Sequence, residues 1–137
     1  MQLVPLFRMT SVLRKPLVLA GTPVGTRSIF EVESGTIDGD RVRATAKGQS
    51  GADWVLITPD GTGMVDVRAL VETHDGALIF IQYHGRTDLS GGGRAPIYST
   101  PRFETGDERY AWLNRIQAVA KGVLDRLTLT YDVYELR

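Results

Sequence analysis

Short runs rich in Val, Ile, Leu, Phe, Tyr and Thr recur along the whole chain, separated by glycines, of which there are 15. Within several runs apolar and polar positions alternate, the period of a strand with one buried face. The pattern predicts strands near 3–13, 16–20, 27–33, 40–47, 53–58, 64–74, 77–86, 97–104, 116–121 and 126–136. No internal repeat or linker interrupts the series, so residues 1–137 are expected to form one domain. The expected fold is all-β: a closed or nearly closed antiparallel β-barrel of about eight to ten strands, with one short helix.

The strongest local signal is Asp75-Gly76, flanked by two β-rich runs. Asp-Gly suits a two-residue type I′ turn, in which both central residues take positive φ. That turn would pair His74 with Ala77, Arg68 with Tyr83 and Val67 with His84. One face would then mix Asp66, Arg68 and Glu72 with Leu70, Ile79, Ile81 and Tyr83. A face so apolar needs a cover: another sheet, a second subunit or a ligand. A homodimer is the assembly this suggests. The same register puts His74 and His84 on opposite faces, where they do not share a metal. No HExxH or His-rich cluster occurs, so no metal and no cofactor are expected.

Two further segments break the strand pattern. Residues 87–96, TDLSGGGRAP, hold three consecutive glycines. The segment is either a slack connection or a lid over a barrel mouth. In PRFETGDERYAWLNR, residues 101–115, Thr105 and Glu108 have capping-box spacing, which predicts a helical turn over 107–114. Tyr110, Trp112 and Leu113 make it too apolar for a solvated turn. It either plugs one end of the barrel or sends Trp112 or Asn114 into a pocket.

Composition narrows the function. Lys plus Arg and Asp plus Glu each total 16, for zero formal charge. A nucleic-acid binder needs a basic surplus, so no nucleic-acid partner is expected. With no cysteine, disulfides, thiolate metal sites and cysteine nucleophiles are excluded. Pro5, Arg8, Arg14, Lys15 and Pro16 interrupt the apolar N-terminus, which does not read as a signal peptide or membrane span. A cytoplasmic protein without a membrane partner is expected.

GxSxG is absent and no serine has a nucleophile's setting. The acid–base candidates are Asp53, beside Trp54 in GADW, and Asp66, which shares a strand face with Arg68. A carboxylate desolvated inside a barrel would have a raised pKa, suited to moving protons. Arg27 and Arg68 are candidates to hold a substrate oxyanion. Trp54, Tyr83, Trp112 and Asn114 are candidates to line its pocket. The alternative for Asp66 and Arg68 is a structural ion pair.

Seven blocks also resemble a known family in their order: GTRSI (25–29), GADW (51–54), MVDVR (64–68), THDGALI (73–79), YHGR (83–86), PRFETGDERYAWLN (101–114) and YDVYE (131–135). From about residue 17 to 136 the chain resembles the bacterial and fungal family called domain of unknown function 3237, or uncharacterised protein family 0311. The resemblance implies a small β-barrel, comparable to lipocalin-like or calycin-like barrels. It carries over no catalytic residue. Arg27, Asp53, Trp54, Asp66, Arg68, Thr73, Tyr83, Arg102, Glu104, Trp112 and Asn114 match the family's motif positions. The chain departs from the family at Ser50, where glycine is usual, and in the 87–96 loop.

Two functions remain open on this reading. A hollow barrel would bind, or transform without metal, a small organic compound bearing an acidic or carbonyl oxygen. Isomerisation, dehydration or cyclisation would suit it, with Asp53 or Asp66 moving the proton. A filled barrel would act through its surface as an oligomer. A cavity of about 300 Å³ or more holding Asp53, Arg68 and Trp54 would distinguish them.

Overall fold

The computed structural model describes residues 1–137. The strands are β1 (Leu3–Leu13), β2 (Leu17–Thr22), β3 (Gly25–Asp38), β4 (Arg43–Ala46), β5 (Ala52–Ile57), β6 (Thr62–Thr73), β7 (Leu78–Asp88), β8 (Ile97–Ser99), β9 (Arg102–Glu104), β10 (Ala118–Asp125) and β11 (Thr128–Leu136). A 3₁₀ helix spans Glu108–Arg115. The ring runs β6-β5-β3-β1-β11-β10-β8-β7, and β7 pairs back onto β6. Every pairing is antiparallel, and the barrel is closed. No helix is long and apolar enough to cross a membrane.

The remaining short strands extend this ring. β1 lies along Val32–Asp38 of β3, and β2 continues the same line along Gly25–Ile29 after a break at Arg14–Pro16. β8 and β9 lie along β7 in the same way. Where the sequence suggests one strand over 97–104, Pro101 splits it, because proline has no N–H to give the ladder. β4 bridges β3 and β6 beyond the end of β5.

The β6–β7 register differs from the Asp-Gly expectation by one residue. Asp66 faces His84, Val67 faces Tyr83 and Arg68 faces Gln82. The loop contains His74, Asp75 and Gly76. The Gly76 N–H donates to the Thr73 carbonyl at 3.0 Å, and the Thr73 N–H to the Ala77 carbonyl at 2.8 Å. Only Gly76 takes positive φ, at 92°, as in a three-residue loop closed by a glycine bulge. Asp75 is committed elsewhere: its carboxylate accepts from the Thr73 hydroxyl at 2.6 Å and the Tyr110 hydroxyl at 2.8 Å. These bonds tie the turn to the helix, and a two-residue turn loses to them.

A one-residue slip turns a strand over. Val65, Val67, Val71, Ile79, Ile81 and Tyr83 therefore all face inward and are buried. Asp66, Arg68, Gln82, His84 and Arg86 share the outer face. The expected mixed face thus loses Ile79, Ile81 and Tyr83 to the interior, and Met64, Leu70, Leu78 and Phe80 are the apolar residues left on the outer face. His74 and His84 both stay exposed, one in the turn and one far along β7.

The helix forms where expected but is capped differently. Asp107, not Thr105, is its N-cap and accepts the Arg109 N–H at 2.9 Å. Thr105 accepts from the Asp107 N–H at 3.2 Å and donates to the Leu78 carbonyl at 2.7 Å. Asn114 clamps Thr105 by accepting its N–H at 2.8 Å and donating to its carbonyl at 2.9 Å. The Thr105–Glu108 box is therefore not made. Leu113, 1% exposed, and Tyr110 enter the core, so the helix plugs the barrel end that carries the Asp75 turn.

Candidate active site

At the end away from the plug, a cavity of about 320 Å³ opens into the barrel. Most of its wall is aliphatic, with Val55, Ile57, Val65, Ile97 and Leu129 around Phe30. Its polar groups are Ser28, Asp53, Thr87 and, at the rim, Arg94. The volume lies at the lower end of the range for small-molecule sites.

Asp53 is the one carboxylate in this wall. Along β5 the side chains alternate, so Asp53 and Val55 point in while Trp54 points out. Asp53 is 7% exposed. Burial disfavours its charged form and pushes its pKa up to about 6. The Asp66 N–H, donating to Asp53 Oδ1 at 3.0 Å, opposes that rise, and the Asp66 charge adds to it. Two phenols feel the same carboxylate. Tyr83 and Tyr131 meet edge to face, their ring centres 5.3 Å apart. Burial first, and then neighbours including Asp53, hold both phenols protonated well beyond neutral pH. The Tyr131 ring lies over Gly122, where any Cβ would collide with it.

The hydroxyls of Tyr131, Ser99 and Thr87 are buried and make no well-formed hydrogen bond, although the Tyr131 hydroxyl is close enough to those of Tyr83 and Ser99 to interact with both. A buried polar group left unpaired costs about 1–3 kcal/mol, so three in one barrel call for a reason. Thr87 lines the cavity. Asp53, Ser28 and Thr87 form the polar part of an otherwise aliphatic wall, able to exchange a proton with a small oxygen-bearing molecule and hydrogen-bond its oxygen; Tyr83, Tyr131 and Ser99 are buried outside that lining.

The other expected site residues lie elsewhere. Tyr83 is inside with Asp53. Arg27, Trp54, Asp66 and Arg68 do come together, but in an open hollow of about 580 Å³ on the outer wall. Trp54 is 52% exposed. The Arg27 guanidinium donates to the Trp54 carbonyl at 3.2 Å, and Asp66 Oδ1 lies 3.3 Å from His84 Nε2. Asp66 and Arg68 share a face as expected, but it is the solvent face. The cavity thus holds Asp53 without Arg68 or Trp54, and aliphatic burial, not an indole, raises the Asp53 pKa. Trp112 lies on the plug under the Arg41 guanidinium, 3.5 Å from its ring centre, and Asn114 is the clamp on Thr105. A larger outer groove, about 710 Å³, passes over His84, Tyr98 and Lys121. It contains no buried titratable side chain, and the interior cavity is the better candidate. No three His, Asp or Glu side chains gather into a set fit to hold a metal ion.

Sequence reasoning missed Ser28, Thr87 and Arg94 in the cavity lining and Tyr131 among the buried residues. The inward alternation of Leu129, Tyr131 and Val133 in β11 was a signal available for Tyr131.

Over residues 1–136 the sequence matches the family described as "Protein of unknown function (DUF3237)". The chain belongs to the DUF3237 family. It is 30% identical over 135 residues to the UPF0311 protein blr7842 of Bradyrhizobium diazoefficiens, covering 88% of this chain and 87% of that one. A β-barrel-like protein of Acinetobacter baumannii superposes with a TM-score of 0.89 at 30% identity, over 99% of this chain and 96% of that one. An enzyme from Penicillium herquei shares the barrel at 23% identity, with a TM-score of 0.75 over 98% and 94% of the two chains. The barrel described here is thus shared with these solved structures.

Proposed function

We propose that this DUF3237 barrel is a small-molecule enzyme in which Asp53 moves a proton. The observation that carries the reading is a buried carboxylate, its pKa raised to about 6, in the wall of an aliphatic cavity beside the hydroxyl-bearing Ser28 and Thr87. Ionised Asp53 removes a proton from an acidic C–H or O–H beside a carbonyl of the bound compound. The hydroxyl of Ser28 or Thr87, both in the cavity wall, hydrogen-bonds the oxygen on which negative charge develops. Asp53 then returns the proton at another atom, completing an isomerisation; alternatively the new anion adds to a second carbonyl or conjugated double bond of the same compound, closing a ring, and the anion left by the broken π bond takes the proton back from Asp53. Only positioning and proton transfer are needed. The barrel is one that a protein called an enzyme also uses.

Solvent exchange is the direct test. Small enolisable carbonyl compounds are incubated with the protein in deuterated water and followed by mass spectrometry. Catalysed deuterium uptake that Asp53→Asn removes supports the reading; no uptake above background across the panel contradicts it.

A second reading, an oligomer acting through its surface, has one observation in its favour. Leu17 lies beside Ile29, and Ile29 beside Trp54, in an outward row across β2, β3 and β5. Leu17 is 56% and Trp54 52% exposed. Sedimentation of the wild type against Leu17→Ser decides whether that row joins two copies.

A further inference from the structure

Arg94 stands apart from every other arginine in the chain. It is the only cation that lines the interior cavity, where the other charged side chain is Asp53. It comes from the 87–96 loop, which crosses the cavity mouth. The first half of that loop is held: the Leu89 N–H donates to the Gly61 carbonyl at 2.8 Å, and Asp88 accepts the Ser90 N–H at 3.0 Å. Around Gly91, Gly92 and Gly93 there is open space. Arg94 returns to the barrel by one bond, from its terminal NH2 group to Asp125 Oδ1 at 2.7 Å. A guanidinium has five N–H donors in a planar fork, and this one engages a single acceptor in the protein. The pair is exposed on both sides, 69% and 60%, and such pairs add little to stability. A fork with donors to spare at the rim of an aliphatic cavity is a fitting partner for a planar oxyanion.

We propose that Arg94 is the anion-binding residue of the cavity mouth, and that the barrel takes a small apolar molecule ending in a carboxylate or similar oxyanion. The apolar body lies inside, against Phe30 and Leu129, and the oxyanion sits at the rim. Asp125 is the resting partner that the ligand's oxyanion replaces. The proposal rests on the interior cavity being the ligand site. It moves the oxyanion-holding role expected for Arg27 and Arg68, which lie on the outer wall, to a residue of the glycine loop.

Two fluorescent probes of similar shape separate these claims: anilinonaphthalene sulfonate, an aryl anion, and phenylnaphthylamine, its uncharged parent. Arg94→Gln is expected to weaken the sulfonate about tenfold or more, the loss of a charged hydrogen-bonded contact. It should leave phenylnaphthylamine within twofold. Arg94→Lys should recover part of the sulfonate affinity, and Asp125→Asn should tighten it by removing the competitor. Trp54→Ser and Leu19→Ser, on the outer wall, should change neither probe. If both probes bind and Arg94→Gln alters neither, the anion site is overturned while the cavity stands. If neither probe binds, or if the outer-wall variants abolish binding, both the anion site and the cavity as ligand site are overturned.

Discussion

Replacing Asp53 with asparagine tests the interior electrostatics through stability as well as activity. The folded barrel holds this carboxyl with a pKa near 6, against an ordinary value of 3.8. Folding therefore favours the neutral acid. Below pH 3.8 both states are protonated and the group costs nothing; the cost appears as pH rises and is complete above about 6. A difference of roughly two pK units corresponds to about 3 kcal/mol at pH 8. The asparagine side chain keeps an oxygen to accept the Asp66 N–H and has no charge to desolvate. Asp53→Asn should thus be close to wild type in stability at acid pH and gain on it steadily, by up to about 3 kcal/mol at alkaline pH. Urea unfolding of both proteins from pH 4 to 8 measures the difference, and taking the difference cancels every other titrating group. The same variant should lose proton-transfer activity. A stability gap that stays flat with pH would refute the account of a strained interior carboxylate, and a variant destabilised throughout would make Asp53 part of the architecture.

Other expectations follow from individual contacts. Tyr131→Phe removes a buried hydroxyl that makes no well-formed hydrogen bond, so thermal unfolding should show a protein as stable as wild type, or up to about 1 kcal/mol more so. Gly122→Ala sets a Cβ into the Tyr131 ring and should cost about 1–3 kcal/mol by denaturant unfolding. Asn114→Ala breaks both clamp bonds to Thr105; a loss of about 1–2 kcal/mol with unchanged probe binding would confirm that Asn114 serves the plug and not the cavity.

The barrel was legible in the sequence because closure needs only many short alternating strands with turns between them. The plug was legible for a similar reason, since Tyr110 and Leu113 are too apolar to face water. The β6–β7 register was not. Asp75-Gly76 has the local chemistry of a two-residue turn, but the bond from Tyr110 to Asp75 comes from a helix more than thirty residues away in the chain. That single-residue error turned β7 over and produced a mixed face that suggested a partner. The site was half legible. Asp53 was singled out as a carboxylate beside an indole that a barrel would desolvate, and it does line the cavity. Grouping it with Trp54 ignored the alternation of β5, which puts neighbours on opposite faces. Arg27, Asp66 and Arg68 did assemble, but no pattern within one strand reveals which face of a barrel is its inside. Arg94 was hidden because a glycine loop has no periodicity from which to read a direction.

The claim on which the rest depends is that Asp53 sits ionisable but desolvated in the barrel. Carbon-13 NMR of the side-chain carboxyls, with the Asp53 signal assigned by its absence in Asp53→Asn, measures this directly. The account predicts a titration midpoint near 6 for that signal. A midpoint at the ordinary aspartate value of 3.8 would mean that water reaches the group freely, and would contradict it.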